Sequence, residues 1–338
     1  MSSNSFKNYL EESEVIDFSN PSIQKLASSL ALNCNSDEEI AKKCFEYVRD
    51  EISHSGDIKA DIITSKASEV LEYKTGWCYA KAFLLAALLR ANGIPTAFCY
   101  QRLSCSEYKD DIYCLHGLNA IYLEKYGWYR VDPRGNKDKV DAQFIPPLEQ
   151  LAFKIQKNEF DLPIKYSKPL EIIINTLEKY NNYEEISNHL PDINEYIRAV
   201  SIDDVEDLSF LSNSLLGFIF DKSAPKWFID ELSSKAFEER IINKAYEQFV
   251  YVIDKKIVGL LTIKDKNQIF HLFVDSKYHK KGIAKKFWEF TKLSYEIQNM
   301  KVNASLYAIK VYESFGFVKV GEEKLFQELK YQPMIYKG

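Results

Sequence analysis

The first half of the chain begins with apolar positions in a helical repeat. Three acidic residues from Asp37 precede apolar positions spaced by three or four, which predicts a helix with acidic side chains in its first turn. Residues 78–91 predict a second, strongly apolar helix that stops at an Asn-Gly pair followed by a proline. These two segments are expected to supply the helices of a first core.

The next segments alternate between apolar and polar residues, which is typical of strands. They cover residues 96–103, 117–123 and 128–132, and a short turn at 124–127 joins the last two. A central helix that leads into an antiparallel sheet predicts an α+β layout for this half.

The second half predicts a mixed α/β sheet in which a basic, glycine-containing loop leads from a strand into a helix. The predicted strands are 196–202, 249–253, 257–264, 268–274 and 301–304, with two more closing the chain. The predicted helices are 203–216, 225–245, one that ends near 298, and 306–314. The loop lies at 279–284.

A polar stretch with a proline separates the two patterns and predicts a linker at 179–192. The length of 338 residues agrees with two domains, on a soft expectation of roughly 150 residues each. We therefore expect a first domain over 1–178 and a second domain over 193–338.

Composition argues against several classes of protein. Hydrophobic residues make up 46% and charged residues 28%, as in ordinary globular proteins, and the net charge is −5. This acidic balance argues against general nucleic-acid binding, which requires neutralisation of phosphates. The N-terminus lacks the apolar segment of a secretory signal, and the longest strongly apolar stretch, 82–89, is too short to cross a bilayer. We expect a soluble cytoplasmic protein that binds neither nucleic acid nor membranes, with its oligomeric state left open.

The cysteine positions predict neither a protein-wide disulfide framework nor a metal site. The six cysteines contain no C-x-x-C pair, and none forms a zinc-finger spacing with the five histidines. Taken alone, each cysteine is expected to be a small buried hydrophobic residue. They are Cys34, Cys44, Cys78, Cys99, Cys105 and Cys114.

Cys78 differs from the other cysteines because it stands at the predicted start of the apolar helix. Unpaired backbone N–H groups and the helix dipole stabilise a thiolate there and also suit an oxyanion in acyl transfer. A nucleophilic cysteine needs a base and an orienting group. If the strands around the 124–127 turn pair, His116 and Asp132 become direct cross-strand neighbours. The sequence therefore indicates a site made of Cys78, His116 and Asp132.

Two residues near this site keep alternative interpretations. His54 is expected to be structural, with a pocket-lining role left open. Trp77, next to Cys78, either walls a cleft or fills the core.

Six motifs, in chain order, resemble the bacterial transglutaminase-like family with the papain-like cysteine protease fold. They are V-R-D-E-I-S-H-S at 48–55, A-S-E-V-L at 67–71, G-W-C-Y-A-K at 76–81, L-L-R-A-N-G-I-P at 88–95, H-G-L-N-A at 116–120 and V-D-P-R-G-N at 131–136. The resemblance covers about residues 10–175. It implies that Cys78, His116 and Asp132 are the nucleophile, base and orienting group of acyl transfer from an amide. Because the family includes proteases, amidases, transglutaminases and peptide N-glycanases, the substrate stays open.

The loop at 279–284 offers backbone N–H groups and lysines at a helix start, an arrangement suited to a pyrophosphate. Gly282 allows the backbone to approach an anion because it has no Cβ. By itself such a loop is interpreted first as a solvated basic turn.

This loop and the segment V-N-A-S-L-Y-A-I-K-V-Y-E-S-F-G-F-V-K-V-G at 302–321 resemble the acetyl-CoA-binding core of the GNAT acetyltransferases. The resemblance covers about residues 193–338 and implies a mixed α/β acyl-CoA N-acyltransferase domain with acetyl-CoA as cosubstrate and no metal. Tyr312 matches the residue that protonates the departing CoA thiolate, although a tyrosine that only fills the core is the alternative.

The loop matches the family motif Gln/Arg-x-x-Gly-x-Gly/Ala except at its first position, where His279 stands, and Ser305 stands where Asn is common. Backbone amides are unaffected by the first change. The residues implied to bind acetyl-CoA are Phe273, Val274, His279, Lys280, Lys281, Gly282, Ile283, Ala284, Lys285 and Ser305. His271 is a candidate general base, and a base that acts through water or comes from another element is the favoured alternative.

The whole chain predicts a bifunctional acyl-transfer enzyme, in which an amide is cleaved by one domain and an amine is acetylated by the other. Its substrates would be small-molecule or peptide amides and amines. The alternative is that only one domain is catalytic and the other is a binding or regulatory module. A third hypothesis makes Cys78 an acetyl carrier, as in arylamine acetyltransferases, but a separate CoA site would make that role redundant.

Overall fold

The computed structural model describes residues 6–105, 112–220 and 222–338. It divides into two compact units, with the boundary between Ile193 and Asn194. Within the described ranges, no helix is both long and apolar enough to cross a membrane.

The first unit contains seven α-helices within its described residues. They are α1 (Pro21–Ala31), α2 (Asp37–Glu51), α3 (Ser55–Ile58), α4 (Ala67–Tyr73), α5 (Cys78–Ala91), α6 (Glu171–Lys179) and α7 (Tyr183–Ser187). Ser36 caps α2 by accepting a hydrogen bond from the backbone of Glu39, and the three acidic residues of the first turn follow this cap, as predicted.

The strands of the first unit form one main sheet and two small pairs. They are β1 (Ser53–His54), β2 (Thr75–Gly76), β3 (Thr96–Ser104), β4 (Tyr113–Leu123), β5 (Gly127–Val131), β6 (Gln143–Ile145), β7 (Leu148–Gln150) and β8 (Phe160–Asp161). The main sheet has the order β5-β4-β3-β8 and is antiparallel throughout. The parallel pair of β1 and β2 places His54 beside Gly76, just before the helix start at Cys78.

Helix α5 is the central element of the first core. Every residue from Cys78 to Arg90 is buried, so the strongly apolar sequence meets an apolar environment on all sides. Each fully buried Leu in such a helix contributes about 1.5–3 kcal/mol of transfer free energy. Gly117 on β4 permits the close approach of this helix, since a Cβ there would lie 2.8 Å from Cδ1 of Tyr79.

The segment 179–192, predicted as a linker, belongs to the first compact unit. Helix α7 lies within it and buries Ile186 in the first core. Asp192 forms a two-pronged ion pair with Arg102, at 2.6 Å for each contact, and the carbonyl of Pro191 accepts a hydrogen bond from Leu115. The polar sequence of this stretch reflects surface exposure of a packed segment, so the chain passes to the second unit only after Ile193.

The second unit is built on an eight-stranded mixed sheet. Its strands are β9 (Glu195–Ala199), β10 (Tyr246–Ile253), β11 (Lys256–Lys264), β12 (Gln268–Val274), β13 (Lys301–Ser305), β14 (Phe317–Lys319), β15 (Lys324–Phe326) and β16 (Leu329–Tyr336). The sheet order is β14-β16-β13-β12-β11-β10-β9, and β15 pairs with β16. Only β12 and β13 pair in parallel, and only at two positions, Gln268 with Lys301 and Ile269 with Val302.

Five helices accompany this sheet among the described residues of the second unit. They are α8 (Val205–Ser214), α9 (Lys226–Glu231), α10 (Ser234–Ile242), α11 (Ile283–Ser294) and α12 (Ile309–Ser314). The single helix predicted over 225–245 is wrong, because the chain breaks into α9 and α10. The break follows from Ser233, whose side chain accepts from the backbone of Ala236 and caps the second helix. The hairpin of β10 and β11 and the strand β12 confirm the predicted elements.

Candidate active sites

Cys78 is the first residue of α5 and lies beside β4. The Sγ atom accepts a hydrogen bond from the backbone N–H of Gly117 at 3.5 Å. The first N–H groups of an α-helix have no partner within the helix, so donors are available next to this thiol. The glycine after His116 in the H-G-L-N-A motif thus has two effects: its missing Cβ lets α5 approach, and its N–H contacts the sulfur.

His116 and Asp132 form a buried hydrogen-bonded pair, with 2.7 Å between Nε2 and Oδ2. The carboxylate is held in place by two backbone groups, because Arg134 N donates to Oδ1 at 3.1 Å and Ala152 N donates to Oδ2 at 3.2 Å. The edge of the Phe153 ring packs on the imidazole, with 5.0 Å between ring centroids. These contacts fix the orientation of His116.

The register predicted for β4 and β5 is wrong by two residues. The observed pairing places Asn119 opposite Val131, so β5 ends before Asp132 reaches a strand partner. His116 pairs with Gln101 on β3, and β4 begins at Tyr113, upstream of the histidine. A shift of two residues keeps each side chain on its predicted face of the sheet, which is why the contact between His116 and Asp132 persists.

The charges around His116 favour its protonated form. Burial by itself would lower the pKa of His116, but the Asp132 carboxylate, with Cys78, raises that pKa to about 10 through charge and hydrogen bonding. Burial raises the pKa of the Cys44 thiol and of the Cys99 thiol to about 12. Cys78 differs from these two buried cysteines because the His116–Asp132 pair lies beside it.

A cleft of about 1340 Å³ opens in front of Cys78 and His116. Trp77 walls the cleft beside Cys78 and stacks on Tyr183, with 6.2 Å between centroids. His54 both lines the cleft and caps α3, since Nδ1 accepts from Gly56 N at 3.2 Å. Burial and the nearby Arg134 guanidinium hold the pKa of His54 well below its ordinary value, so this histidine is neutral at pH 7.

The sequence did not identify several residues of this cleft. Phe153 and Gln101 gave no motif-level signal, because they reach the site from a loop and from the neighbouring strand. The expectation that each remaining cysteine is a small buried hydrophobic residue is wrong for Cys105 and Cys114, which form a disulfide and line the cleft. The two residues lie where β3 ends and β4 begins, 6.0 Å apart between Cα atoms, a proximity that sequence spacing does not reveal.

In the second unit, the basic loop connects the end of β12 to α11. Gly282 is the N-cap of α11 and has a φ of +85°, a left-handed conformation that favours glycine. His279 bonds through Nε2 to the carbonyl of Val274 at 2.8 Å and packs against Phe218, with 5.3 Å between ring centroids. His279, which stands where the motif has Gln or Arg, thus makes contacts that hold the loop in place.

The residues predicted around this loop lie at one end of the sheet. Lys280, Lys281 and Lys285 are exposed and leave the positive charges of the loop facing solvent. Ile283 is buried under the first turn of α11, and Ala284 is half-buried beside it. The exposed N–H groups of a glycine-started helix of this length, with lysines around them, fit a diphosphate group.

A pocket of about 350 Å³ lies where β12 and β13 separate after their two paired positions. Ser305, Phe273, His271 and Tyr312 line it. Tyr312 is buried, and burial raises the pKa of its hydroxyl, so this group is a proton donor at neutral pH. Burial, with a contribution from the Arg240 charge, holds the pKa of His271 well below its ordinary value, so the imidazole is neutral. The opening between the two strands thus brings Phe273, Ser305 and the buried Tyr312 to one cavity.

Comparison with protein families agrees with both sets of motifs. A model described as the transglutaminase-like superfamily matches residues 24–133, and one described as an acetyltransferase (GNAT) domain matches residues 218–337. The chain therefore contains a transglutaminase-like domain followed by a GNAT acetyltransferase domain. Cys78, His116 and Asp132 fall within the first match, and Gly282 and Tyr312 fall within the second.

Parts of the chain are similar to solved structures. A GCN5-related N-acetyltransferase from Rhodopseudomonas palustris is 15% identical, with 44% of this chain and 98% of that chain covered and a TM-score of 0.36. An N-acetyltransferase from Thermoplasma acidophilum in complex with coenzyme A is 16% identical, with 43% and 100% covered and a TM-score of 0.35. A candidate cysteine protease from Cytophaga hutchinsonii is 18% identical, with 40% of this chain and 43% of that chain covered and a TM-score of 0.32. Comparison with curated protein sequences gave no match.

Proposed function

We propose that the protein is a bifunctional acyl-transfer enzyme. Its first domain cleaves an amide with a Cys78–His116–Asp132 triad, and its second domain acetylates an amine with acetyl-CoA. The observation that carries the proposal is the 2.7 Å contact between His116 Nε2 and Asp132 Oδ2 beside the helix-start cysteine. Burying a histidine and a carboxylate costs free energy, and such buried pairs beside a cysteine are typical of functional sites. We therefore favour a catalytic role for this cysteine over a purely structural one.

The first reaction follows from the positions of these side chains. The Cys78 thiolate attacks the carbonyl carbon of the amide, and the helix-start N–H groups stabilise the oxyanion. The protonated His116 donates its proton to the departing nitrogen, so the C–N bond breaks and a thioester forms. His116 then removes a proton from water, which attacks the thioester and releases a carboxylic acid and Cys78. Asp132 keeps the imidazole oriented and supports its positive charge.

The second reaction uses the pocket between β12 and β13. Acetyl-CoA, when bound, supplies the activated acetyl group. The loop around Gly282 would hold its diphosphate by backbone N–H groups and the nearby lysines. As the amine nitrogen bonds to the acetyl carbon, its proton would pass to water or to a base reached through water. The bond between the acetyl carbon and sulfur would break, and Tyr312 would donate its proton to the departing sulfur.

The two reactions are chemically complementary, since cleavage of an amide frees an amine that the second domain can acetylate. The alternative, in which one domain only binds ligand, is disfavoured because Cys78, His116 and Asp132 are present in the first domain and Tyr312 in the second. Acceptance of an acetyl group by Cys78 is also disfavoured, since a separate CoA site makes it unnecessary.

Product analysis by mass spectrometry tests the proposal. The protein is incubated with a library of peptide and small-molecule amides, and new amines and carboxylic acids are sought, followed by N-acetylated products after acetyl-CoA is added. Cys78→Ala is expected to abolish amide cleavage, and Tyr312→Phe is expected to slow acetylation. The proposal is refuted if none of the amines causes the wild-type protein to release CoA thiol and none of the amides is cleaved.

A further inference from the structure

The pocket between β12 and β13 has an unusual balance of charge and aromatic surface. Among the lining residues that the structure describes, Glu231 alone carries a formal charge at neutral pH, because the pKa of His271 is held well below its ordinary value. Seven of the other eighteen lining residues are Phe, Tyr or Trp. A single carboxylate in an aromatic wall is suited to a cation, which is attracted both by the charge and by the ring faces.

The carboxylate of Glu231 is held in a fixed position. Arg240 donates through Nη2 to Oε1 of Glu231 at 2.5 Å and to the Glu231 backbone carbonyl at 2.7 Å. Oε2 has no hydrogen-bond partner among the described residues, so it remains available. The guanidinium of Arg240 is buried against Phe237 and Phe270, and Arg240 does not line the pocket. Glu231 therefore lines the cavity, while the positive charge of Arg240, paired with one carboxylate oxygen, lies behind the wall.

The aromatic residues form two walls beside this carboxylate. On one side, Trp227 and Glu231 are four residues apart on α9 and share a helix face, and Trp227 packs against Phe326 with 5.5 Å between centroids. On the other side, Phe270 lies on β12 and contacts His271 at 4.5 Å between centroids. A group that enters between these walls loses water on both faces and meets Glu231 at the end of α9.

We propose that the acetyl acceptor is a compact amine that carries a second, positively charged group, bound by Glu231 and the aromatic walls. This inference rests on the proposed acetyl transfer. The attacking nitrogen must have a free electron pair, so the charge that Glu231 attracts belongs to another group of the acceptor. The cavity volume of about 350 Å³ excludes a folded polypeptide surface and admits a small molecule or one extended side chain.

A matched pair of acceptors tests the charge without changing shape. O-[2-(Trimethylammonio)ethyl]hydroxylamine and O-(3,3-dimethylbutyl)hydroxylamine have the same nucleophilic nitrogen and the same branched end. Because an alkoxyamine nitrogen is not protonated at neutral pH, the two amines differ there by one positive charge. Calorimetric titration of each into the CoA-bound protein measures affinity without turnover, and release of CoA thiol measures acetyl transfer. We expect the cation to bind roughly tenfold more tightly than its neutral counterpart.

Substitutions then test whether Glu231 causes the preference for the cationic amine. Glu231→Gln keeps an oxygen acceptor for Arg240 but removes the charge, and it should reduce the preference for the cation to about twofold or less. Glu239→Gln, an exposed change on α10, is the matched control and should keep the wild-type preference. Trp227→Leu should also weaken the preference without altering net charge.

The two proposals fail separately in this experiment. If the wild-type protein binds the two amines equally, or if Glu231→Gln retains the full preference, the inference is overturned whatever the turnover rate. If the cation binds preferentially and is never acetylated while acetyl-CoA is bound, the binding inference stands and acetyl transfer is refuted. A misfolded Glu231→Gln protein does not remove the test, because the wild-type comparison of the two amines decides by itself.

Discussion

Replacing Asp132 by Asn should change the pH range in which Cys78 reacts. In the wild-type protein the Asp132 charge outweighs the effect of burial and raises the pKa of His116 to about 10. The imidazolium therefore persists through neutral pH beside the Cys78 sulfur. Without that charge, burial dominates and the pKa of His116 falls. The imidazole then loses its positive charge at lower pH, and a negatively charged sulfur is no longer favoured by a neighbouring cation.

The size of the effect follows from the lost ion pair. An unassisted thiol with a pKa near 8.5 is only about 0.3% ionised at pH 6, whereas an ion-paired cysteine is largely ionised there. Alkylation of Cys78 should therefore be roughly 100-fold slower in Asp132→Asn than in the wild-type protein at pH 6. Near pH 9 the difference should shrink to a few-fold, because most unassisted thiols are ionised by then.

The assay is iodoacetamide labelling from pH 5 to 9, with each cysteine quantified by peptide mass spectrometry. Asp50→Asn removes an exposed carboxylate from the same domain and is the matched control, with a wild-type profile expected. Cys44 and Cys99 are internal controls for folding, since both are buried and their labelling would report opening of the core. Parallel pH profiles for wild-type and Asp132→Asn proteins would refute the role given to this carboxylate.

Three further predictions concern other parts of the molecule. His116→Ala should slow labelling of Cys78 at neutral pH by tenfold or more, as measured against His54→Ala, which should have a smaller effect; equal rates would exclude a Cys–His pair. Tyr312→Phe should lower kcat of acetyl transfer by about 10²–10⁴ while CoA affinity, measured by titration, changes little; a matching loss of affinity would make the tyrosine a binding residue. Gly282→Glu should abolish CoA binding, because it places a negative charge at the expected diphosphate site and a side chain at a φ of +85°. The control variant Lys319→Glu, on β14, should bind CoA normally. Unchanged CoA affinity in Gly282→Glu would place the diphosphate elsewhere.

The sequence was sufficient to predict elements with strong local patterns. Helix α5 and strand β12 have the predicted bounds, because an uninterrupted apolar run and a clear alternation leave few competing structures. The turn between β4 and β5 shows the limit of this reasoning. Alternation determines which face a residue occupies, but the register also depends on turn geometry, which moved Asp132 beyond the last strand pair.

Features that depend on tertiary packing could not be predicted from one sequence. The pairing of Cys105 with Cys114 depends on where β3 and β4 end, and the placement of 179–192 depends on contacts such as that of Arg102 with Asp192. Glu231 carried no motif, since its value to the site arises only when α9 is placed beside β12. The candidate site residues could be proposed from the sequence because helix starts and glycine loops have local signatures.

Mass spectrometry after incubation with acetyl-CoA, in the absence of an amine, tests most directly the claim that the chain has two separate acyl-transfer sites. Under native conditions we expect one CoA ligand bound per chain without a covalent link. After denaturation, peptide mapping should find Cys78 as a free thiol. An acetyl group on Cys78 would contradict the account, because it would make the first site the acetyl carrier, and absence of any bound CoA would contradict the second site.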